Sequence, residues 1–374
     1  MNKMSPVWIP SAQAQAPNGS DYIAPDASGQ NFFDIDPALH HLLDLYMPAD
    51  ERAHFEPHMR RMGEIAGGRL DALSREAERH APVLHPRDRY GRDEDWIEYC
   101  GAYKEMERIA FEEFGFQAMT NRAGVMGWPK PMSYFAKYVF QYLFVQAEFG
   151  IMCPVSVSDT SAFLLGRYAD QETYDLYYDR MVSQDPARFL SGAQFMTEKA
   201  GGSDVGGIEL TAVNEGGEWR LYGEKWFCSH TDGDIALLLA RPEGAPAGSR
   251  GLALFALPRV CPDGTRNRYR IARLKDKMGT KSMASGEIIF KGALVHLLGE
   301  ADKGLKQMMD QVNLSRLSHG VRAAAMMQRC WNESVAVARN RSAFGRNLME
   351  FPLLRRQLLD LSLIHISEPT RHES

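Results

Sequence analysis

The sequence predicts an α+β fold in which a helical N-terminal domain (residues 35–187) leads into a middle β domain (188–298) and then into the start of a second helical domain (299–360). Three observations carry that reading. Apolar residues recur at helical spacing up to about residue 187. Six short strand-like runs then follow, two of them joined by a glycine turn. From Glu300 the helical period returns. At 374 residues the chain is long enough for two or three domains of roughly 100–200 residues each.

Residues 1–34 form a stretch whose later part is rich in Ala, Ser, Pro, Gly and Gln, and are expected to be a loose, flexible N-terminal arm. Asp36-Pro37 marks the first helix, because Asp caps free amides and Pro suits the first helical position. Leu39, Leu42, Leu43 and Tyr46 then share one face. A second helix carries Phe55, Met59, Met62, Leu70 and Leu73 on one stripe, with a bend expected at Gly67-Gly68. Further helical patterns lie near 97–115, 133–149 and 171–182. The strand-like runs are 189–196, 208–213, 218–227, 235–239, 252–257 and 287–290. Ile208, Leu210 and Ala212 alternate before Asn214-Glu215-Gly216-Gly217, and Trp219 and Leu221 alternate after it, which is the pattern of a β-hairpin. In the last segment Leu317, Val321, Ala324, Trp331, Val335 and Ala338 are expected to form one buried stripe ending near Phe344-Gly345.

Composition excludes several classes. With 43 Lys+Arg against 48 Asp+Glu the net charge is -5, so no global basicity supports phosphate neutralisation. Arg339, Arg346, Arg355 and Arg356 are read as a solvated helix face rather than a DNA-binding strip. The five cysteines are scattered without Cys-x-x-Cys spacing, and the histidines show no metal-ligand spacing, so neither a disulfide framework nor a metal site is expected. The start lacks the apolar core of a signal peptide, and the tract at 134–150 is interrupted by Lys137, Gln141 and Gln146. A soluble cytoplasmic protein without a membrane span is the expectation.

The segment 361–371 reads LSLIHISEPTR, which is the in-frame translation of a transposase-type sequencing adapter. A genuine polar tail is the alternative. The adapter reading makes 361–374 a non-native tail and places the end of the natural sequence near Asp360, inside a helix.

Chemistry concentrates where helix gives way to strand. The run Gln194-Phe195-Met196-Thr197-Glu198-Lys199-Ala200-Gly201-Gly202-Ser203-Asp204-Val205 ends a strand in Thr and bends through two glycines into Ser-Asp. Such a turn presents amides and hydroxyls to an anionic or heteroaromatic ligand, with Gly permitting close approach. Taken alone it reads equally as an ordinary turn. Its context is more specific. Gly223-Glu224-Lys225-Trp226-Phe227-Cys228-Ser229 follows, then Leu274-Lys275-Asp276-Lys277-Met278-Gly279 leading through Ser282 and Ser285 to Gly286-Glu287-Ile288-Ile289-Phe290, and finally Arg341-Ser342-Ala343-Phe344-Gly345.

These four ordered motifs resemble those of the acyl-CoA dehydrogenase family over about residues 95–360. The Thr197-Glu198-Lys199 and Trp226-Phe227 variants and the run 275–279 are most similar to its AidB-like, alkylation-response branch. The resemblance implies a barrel-like middle domain and FAD held between it and the C-terminal helices. It also implies roles. Met196 and Thr197 would hydrogen-bond the polar edge of the isoalloxazine; Gln194 stands where many relatives have an aromatic. Gly202 belongs to the bend, and Ser203 would meet the pyrophosphate side of FAD and the substrate. Phe227 would lie against the flavin and Ser229 would bond near its N5, an aromatic body beside a hydroxyl suiting a flat, acceptor-edged cofactor. Core packing is the alternative for Phe227. Arg341 would reach the FAD of a neighbouring subunit in a homo-oligomer, a tetramer in the family; its alternative is a solvated arginine at a helix end. Arg316 would join Ser203 in binding substrate.

The implied activity is FAD-dependent α,β-dehydrogenation of an acyl-CoA thioester, with an electron-acceptor protein as a partner. Relatives take the substrate α-proton with a glutamate. In most it lies in a motif beyond residue 360, and in some it lies just before the arginine seen here as Arg316, where this chain has Ser315. No catalytic base is therefore assigned within the chain, Glu198 belonging to the flavin motif. Two other readings stay open: an AidB-like DNA-binding flavoprotein with weak dehydrogenase activity, if a missing C-terminal region is basic, and a flavin-free scaffold.

Overall fold

Asp36 opens the first helix through its carboxylate, which accepts from Leu39 N at 2.9 Å, with Pro37 behind it. The computed structural model describes the backbone of residues 25–367, so the second half of the tail expected at 361–374 and most of the expected arm lie outside the described residues. The described chain divides into two compact units that cut across sequence order. One takes the described residues up to Glu76, Ser133–Phe149 and the described residues from Leu317 onward, and the other takes Ala77–Met132 and Gly150–Arg316.

The first unit is helical. It contains α1 (Pro37–Tyr46), α2 (Ala49–Ile65), the beginning of α3 (Asp71–Arg79), α5 (Tyr134–Val145), the later part of α8 (Gly304–Asn340), and α9 (Pro352–Ser367). Between α2 and α3 the bend expected at Gly67-Gly68 is a π-helical turn, Ala66–Leu70. The glycines have a second use. A Cβ on Gly67 would stand 1.7 Å from Gln30 O, and one on Gly63 would stand 2.5 Å from Phe33 N. Their absence lets residues 29–33 lie directly on the helix, with Gly29 N donating to Gly67 O and Phe32 N to Gly63 O. Phe32 and Phe33 are fully buried, so the last part of the expected arm is a packed segment. Composition misleads there because two aromatics outweigh the surrounding polar residues once a glycine groove receives them.

Helix α8 corrects another expectation. Val335 and Ala338 are buried, but Leu317 is 54% exposed, and Val321, Ala324 and Trp331 are only half-buried. The buried face instead carries Ser318, Arg322, Gln328 and Asn332. Its partner α5 explains this, because the polar residues that interrupt that helix are turned inward. Gln141 Nε2 donates to Ser318 Oγ at 2.6 Å, and Asn332 Nδ2 donates to Gln146 Oε1 at 3.2 Å. Buried polar groups find each other here, and the apolar stripe yields.

The second unit holds the β domain. A hairpin of β1 (Val83–Arg87) and β2 (Asp93–Glu98) occupies the start of the helical pattern expected near 97–115, which begins only with α4 (Gly101–Glu107). Helix α6 (Met152–Tyr168), not expected because Ser156, Ser158, Thr160 and Ser161 dilute its apolar stripe, precedes α7 (Gln171–Met181). Those small residues admit a strand. Ser158 Oγ accepts from Gly192 N at 2.8 Å, where a Cβ would come within 2.8 Å of the Ser158 Cα.

Seven strands follow: β3 (Gly192–Phe195), β4 (Thr211–Glu215), β5 (Glu218–Ser229), β6 (Ile235–Pro242), β7 (Ala253–Pro258), β8 (Tyr269–Leu274) and β9 (Ser285–Leu298). The ring β5–β4–β6–β7–β9 closes on itself through the β5–β9 pairing, so the domain is a closed barrel. Phe195, Leu210, Leu221, Leu238, Phe255 and Ile288 fill it. The expected hairpin is present, with Gly216 and Gly217 both at positive φ between Glu215 and Glu218. Strand β8 was not expected, since Arg270 and Arg273 mask its alternation, yet Tyr269 and Ile271 are buried. Strand β9 outruns the expected 287–290 because it pairs in turn with β5, β7 and β8. Among the described residues no helix is long and apolar enough to cross a membrane.

Candidate functional site

The second unit brings two of the sequence motifs side by side. Strand β3 runs antiparallel to the end of β5, so Gln194 faces Ser229 and Phe195 faces Cys228. Against β9 the register slips between Lys225 and Cys228. That bulge lets both residues point inward although they are three apart, and it turns Trp226 and Phe227 outward. Phe227 is consequently 50% exposed rather than a core residue, with Lys275 Nζ over its ring at 4.7 Å from the centroid. Ser229 Oγ lies 3.4 Å from Ser285 Oγ. Gln194 Nε2 donates to Met308 Sδ at 3.1 Å.

The loop after β3 is held from within. Glu198 and Gly201 exchange backbone hydrogen bonds, which makes a tight turn, and Trp226 N donates to Thr197 O at 2.8 Å. Lys225 Nζ, with its side chain fully buried, donates to Glu198 Oε1 at 2.7 Å and to Met196 O at 3.2 Å. The Glu198 carboxylate also accepts from Glu209 N at 2.6 Å. Burial pushes the Lys225 ammonium below its ordinary range even though Glu198 pulls the other way. A buried pair of this kind carries enough hydrogen bonds to tolerate its desolvation, and its loss on one side is costly. This pin lay outside the sequence reading, although Lys225 stood in the quoted motif.

A cavity of about 980 Å³ opens beside the loop. Met196, Gly202, Ser203 and Arg316 all line it, so four residues singled out in the sequence share one space. Leu305, Met309 and Val312 of α8 supply an apolar wall, and Ala247, Gly248 and Ser249 of the loop between β6 and β7 supply a third. That loop was missed; its signal was a run of small residues between two strands. Thr197, Phe227 and Ser229 do not line this cavity. Thr197 backs it, because a Cβ on Gly202 would stand 3.1 Å from Thr197 Oγ1. Gly201 has a φ of +144° and open space where a side chain would be, so the turn offers backbone rather than side chains. Glycine backbone, two serine hydroxyls and an arginine form a donor set suited to a phosphate-bearing ligand, the Asp204 carboxylate on the same lining lies against Gly206 and Gly207 of its own loop, and the outward Phe227 suits a flat ring. The residues present therefore fit FAD.

Arg341 lies in the first unit, exposed just past the end of α8, where its N donates to Val337 O at 2.9 Å and its O accepts from Leu348 N at 2.9 Å. Ser315, beside Arg316, is half-buried on α8. A second cavity of about 930 Å³, lined by residues of both charges including Asp170, Arg220, Arg268 and His296, contains none of the cofactor- or substrate-binding residues expected from the sequence. Among the described residues there is no group of three or more His, Cys, Asp or Glu able to hold a metal ion.

Comparison with known proteins gives matches along most of the chain. Residues 23–185 match the adaptive response protein AidB N-terminal domain, 193–293 the acyl-CoA dehydrogenase middle domain, and 302–365 the acyl-CoA dehydrogenase C-terminal domain. The putative acyl-CoA dehydrogenase AidB of Escherichia coli (strain K12) is 32% identical over 304 residues, covering 78% of this chain and 53% of that protein. The solved apo form of Bd2924 is 31% identical with a TM-score of 0.84, covering 92% of this chain and 69% of that one. Caenorhabditis elegans ACDH-11, solved in complex with C11-CoA, is 27% identical with a TM-score of 0.83, covering 94% and 60%. The chain spans about half the length of the curated relatives it matches.

Proposed function

The chain belongs to the acyl-CoA dehydrogenase family, with an AidB-type N-terminal domain, and on that premise we propose that it binds FAD and carries the cofactor half of an α,β-dehydrogenation of an acyl-CoA thioester. The observation that supports this best is the turn 196–203, pinned from behind by the buried Lys225–Glu198 pair and open in front onto a cavity of hydroxyls, glycine backbone and Arg316. FAD bound there supplies the hydride acceptor. The chain's own residues would orient and select: Met196 and Thr197 would serve the polar edge of the ring, and Phe227, half-exposed, and Ser229, on the strand beside Gln194, would serve its plane from outside the cavity lining. Ser203 and Arg316 present donors to phosphate. An acyl-CoA as the second ligand is supported by the C11-CoA held by the relative of similar fold. Arg341 would serve the cofactor of a neighbouring copy in a homotetramer, an assignment that rests on its motif.

Deprotonation is where this chain is predicted to fall short. A positioned base contributes about 10²–10⁴-fold to such a step. The position before Arg316 holds Ser315, and Glu198 is committed to Lys225 and to backbone amides. Reconstitution with FAD tests the binding claim: the purified chain should turn yellow and release flavin on denaturation, and a chain that stays colourless after FAD is added overturns it. Anaerobic mixing of the loaded chain with short, branched and long acyl-CoAs should leave the flavin band unbleached. Bleaching at the rate of an intact relative would show that a base exists within these residues.

A further inference from the structure

One side chain joins the two small-residue loops that wall the cavity. Arg241, near the end of β6, donates from Nη2 to Gly206 O at 2.7 Å, and from Nη1 to Pro246 O at 2.5 Å and Gly248 O at 3.1 Å. Gly206 belongs to the loop that follows Ser203, and Pro246 and Gly248 belong to the loop that leads into β7. Gly206 and Gly248 line the cavity, whereas Arg241 does not. Their carbonyls are therefore taken up by the guanidinium. The loops are also seated on each other and on that group. A Cβ on Gly206 would stand 3.2 Å from Ser249 N, and one on Gly251 would stand 1.8 Å from Pro246 O and 2.5 Å from Arg241 Nη1.

A planar fork of five donors can bond three carbonyls from two loops at once, which an ammonium cannot do in one geometry. With those acceptors occupied, the wall has Ser203, Ser249 and Arg316 as its donors, and the one carboxylate on it, Asp204, turns back on its own loop, 3.4 Å from where Cβ atoms on Gly206 and Gly207 would stand. We propose that Arg241 is a positioning residue for a pyrophosphate ligand: it takes up the carbonyls of both loops and fixes the loops as two walls of one anion cradle. The inference rests on the proposed function in that FAD and CoA both carry an adenosine pyrophosphate, and the cradle fits the chemistry the two share.

The test compares the full chain with Arg241→Gln and Arg241→Lys, using ADP, FAD, CoA and riboflavin as separate calorimetric probes and hydrogen exchange without ligand. Arg241→Gln should weaken ADP binding at least tenfold and leave riboflavin binding unchanged, while amides in 202–207 and 246–251 exchange faster together. Arg241→Lys, which keeps the charge and part of the bonding, should recover part of both effects, and it carries the comparison if the glutamine variant does not fold. Where ADP binding falls, a tenfold loss for FAD but not CoA assigns the cradle to the flavin nucleotide, a loss for CoA but not FAD assigns it to the thioester's nucleotide, and either supports the inference. Wild-type chain that binds ADP but not FAD would overturn the flavin reading while leaving the Arg241 comparison intact. Unchanged ADP affinity in both variants, unchanged exchange in both loops, or a wild-type chain that binds no pyrophosphate probe would overturn the inference.

Discussion

Replacing Lys225 with methionine removes the cation from the pair that backs the flavin turn while keeping an unbranched side chain of similar length. Breaking a buried pair on one side costs about 3–5 kcal/mol. Glu198 would keep its hydrogen bonds from Glu209 N at 2.6 Å and Leu210 N at 3.4 Å, which places the expected loss near the lower bound, about 3 kcal/mol. A small part of it is the bond from Lys225 Nζ to Met196 O. Against a total stability of roughly 5–15 kcal/mol this is a large fraction. Urea unfolding followed by tryptophan fluorescence reports it, since Trp219 and Trp226 flank Lys225 on β5. With a slope of about 1–3 kcal/mol per molar urea, the midpoint should fall on the order of 1 M or more. The double variant Lys225→Met with Glu198→Gln should regain more than half of the loss, because no charge is then left buried. A Lys225→Met midpoint equal to that of the wild type, or a double variant no better than the single one, would refute the argument that the pair is a pin.

Other expectations follow from the same structure. Arg341→Ala should weaken FAD retention by one to two decades, the equivalent of a charge-assisted contact of roughly 1.5–3 kcal/mol, as measured by equilibrium dialysis; unchanged retention would leave Arg341 a solvated helix-end charge. Gly67→Ala would force a Cβ to within 1.7 Å of Gln30 O and should cost about 1–3 kcal/mol in chemical unfolding, with residues 29–33 becoming sensitive to protease; a neutral substitution would mean that this segment does not pack as described. Burial holds the His296 imidazole below its ordinary value of 6.5, against the pull of Asp170, Glu172 and Glu218. The unfolded chain therefore binds more protons just below pH 6.5, and this contribution to stability is present above 6.5 and lost as pH falls through the lowered value. His296→Gln should flatten that part of a melting-temperature profile, and an unaltered profile would show that the ring titrates normally.

Much of the architecture could be read locally. Asp36-Pro37 and Gly216-Gly217 announce a helix start and a hairpin because capping and positive φ depend on residues a few positions apart. The turn motif at 194–205 was legible for a related reason, since its strand end, two glycines and Ser-Asp sit together in a short run. What the sequence by itself determined was therefore the order of a helical, a β and a second helical segment, and the composition of the turn at 194–205. Only the tertiary structure decided partnership. It closed the barrel by pairing β5 with β9, turned Phe227 outward through a bulge between Lys225 and Cys228, and gave α8 a polar buried face because α5 offered Gln141 and Gln146 to it. It also set Arg241 against carbonyls 5, 7 and 35 positions away. Such pairings are settled by which distant groups can satisfy one another once both are out of water, and neither period nor propensity along the chain encodes that choice.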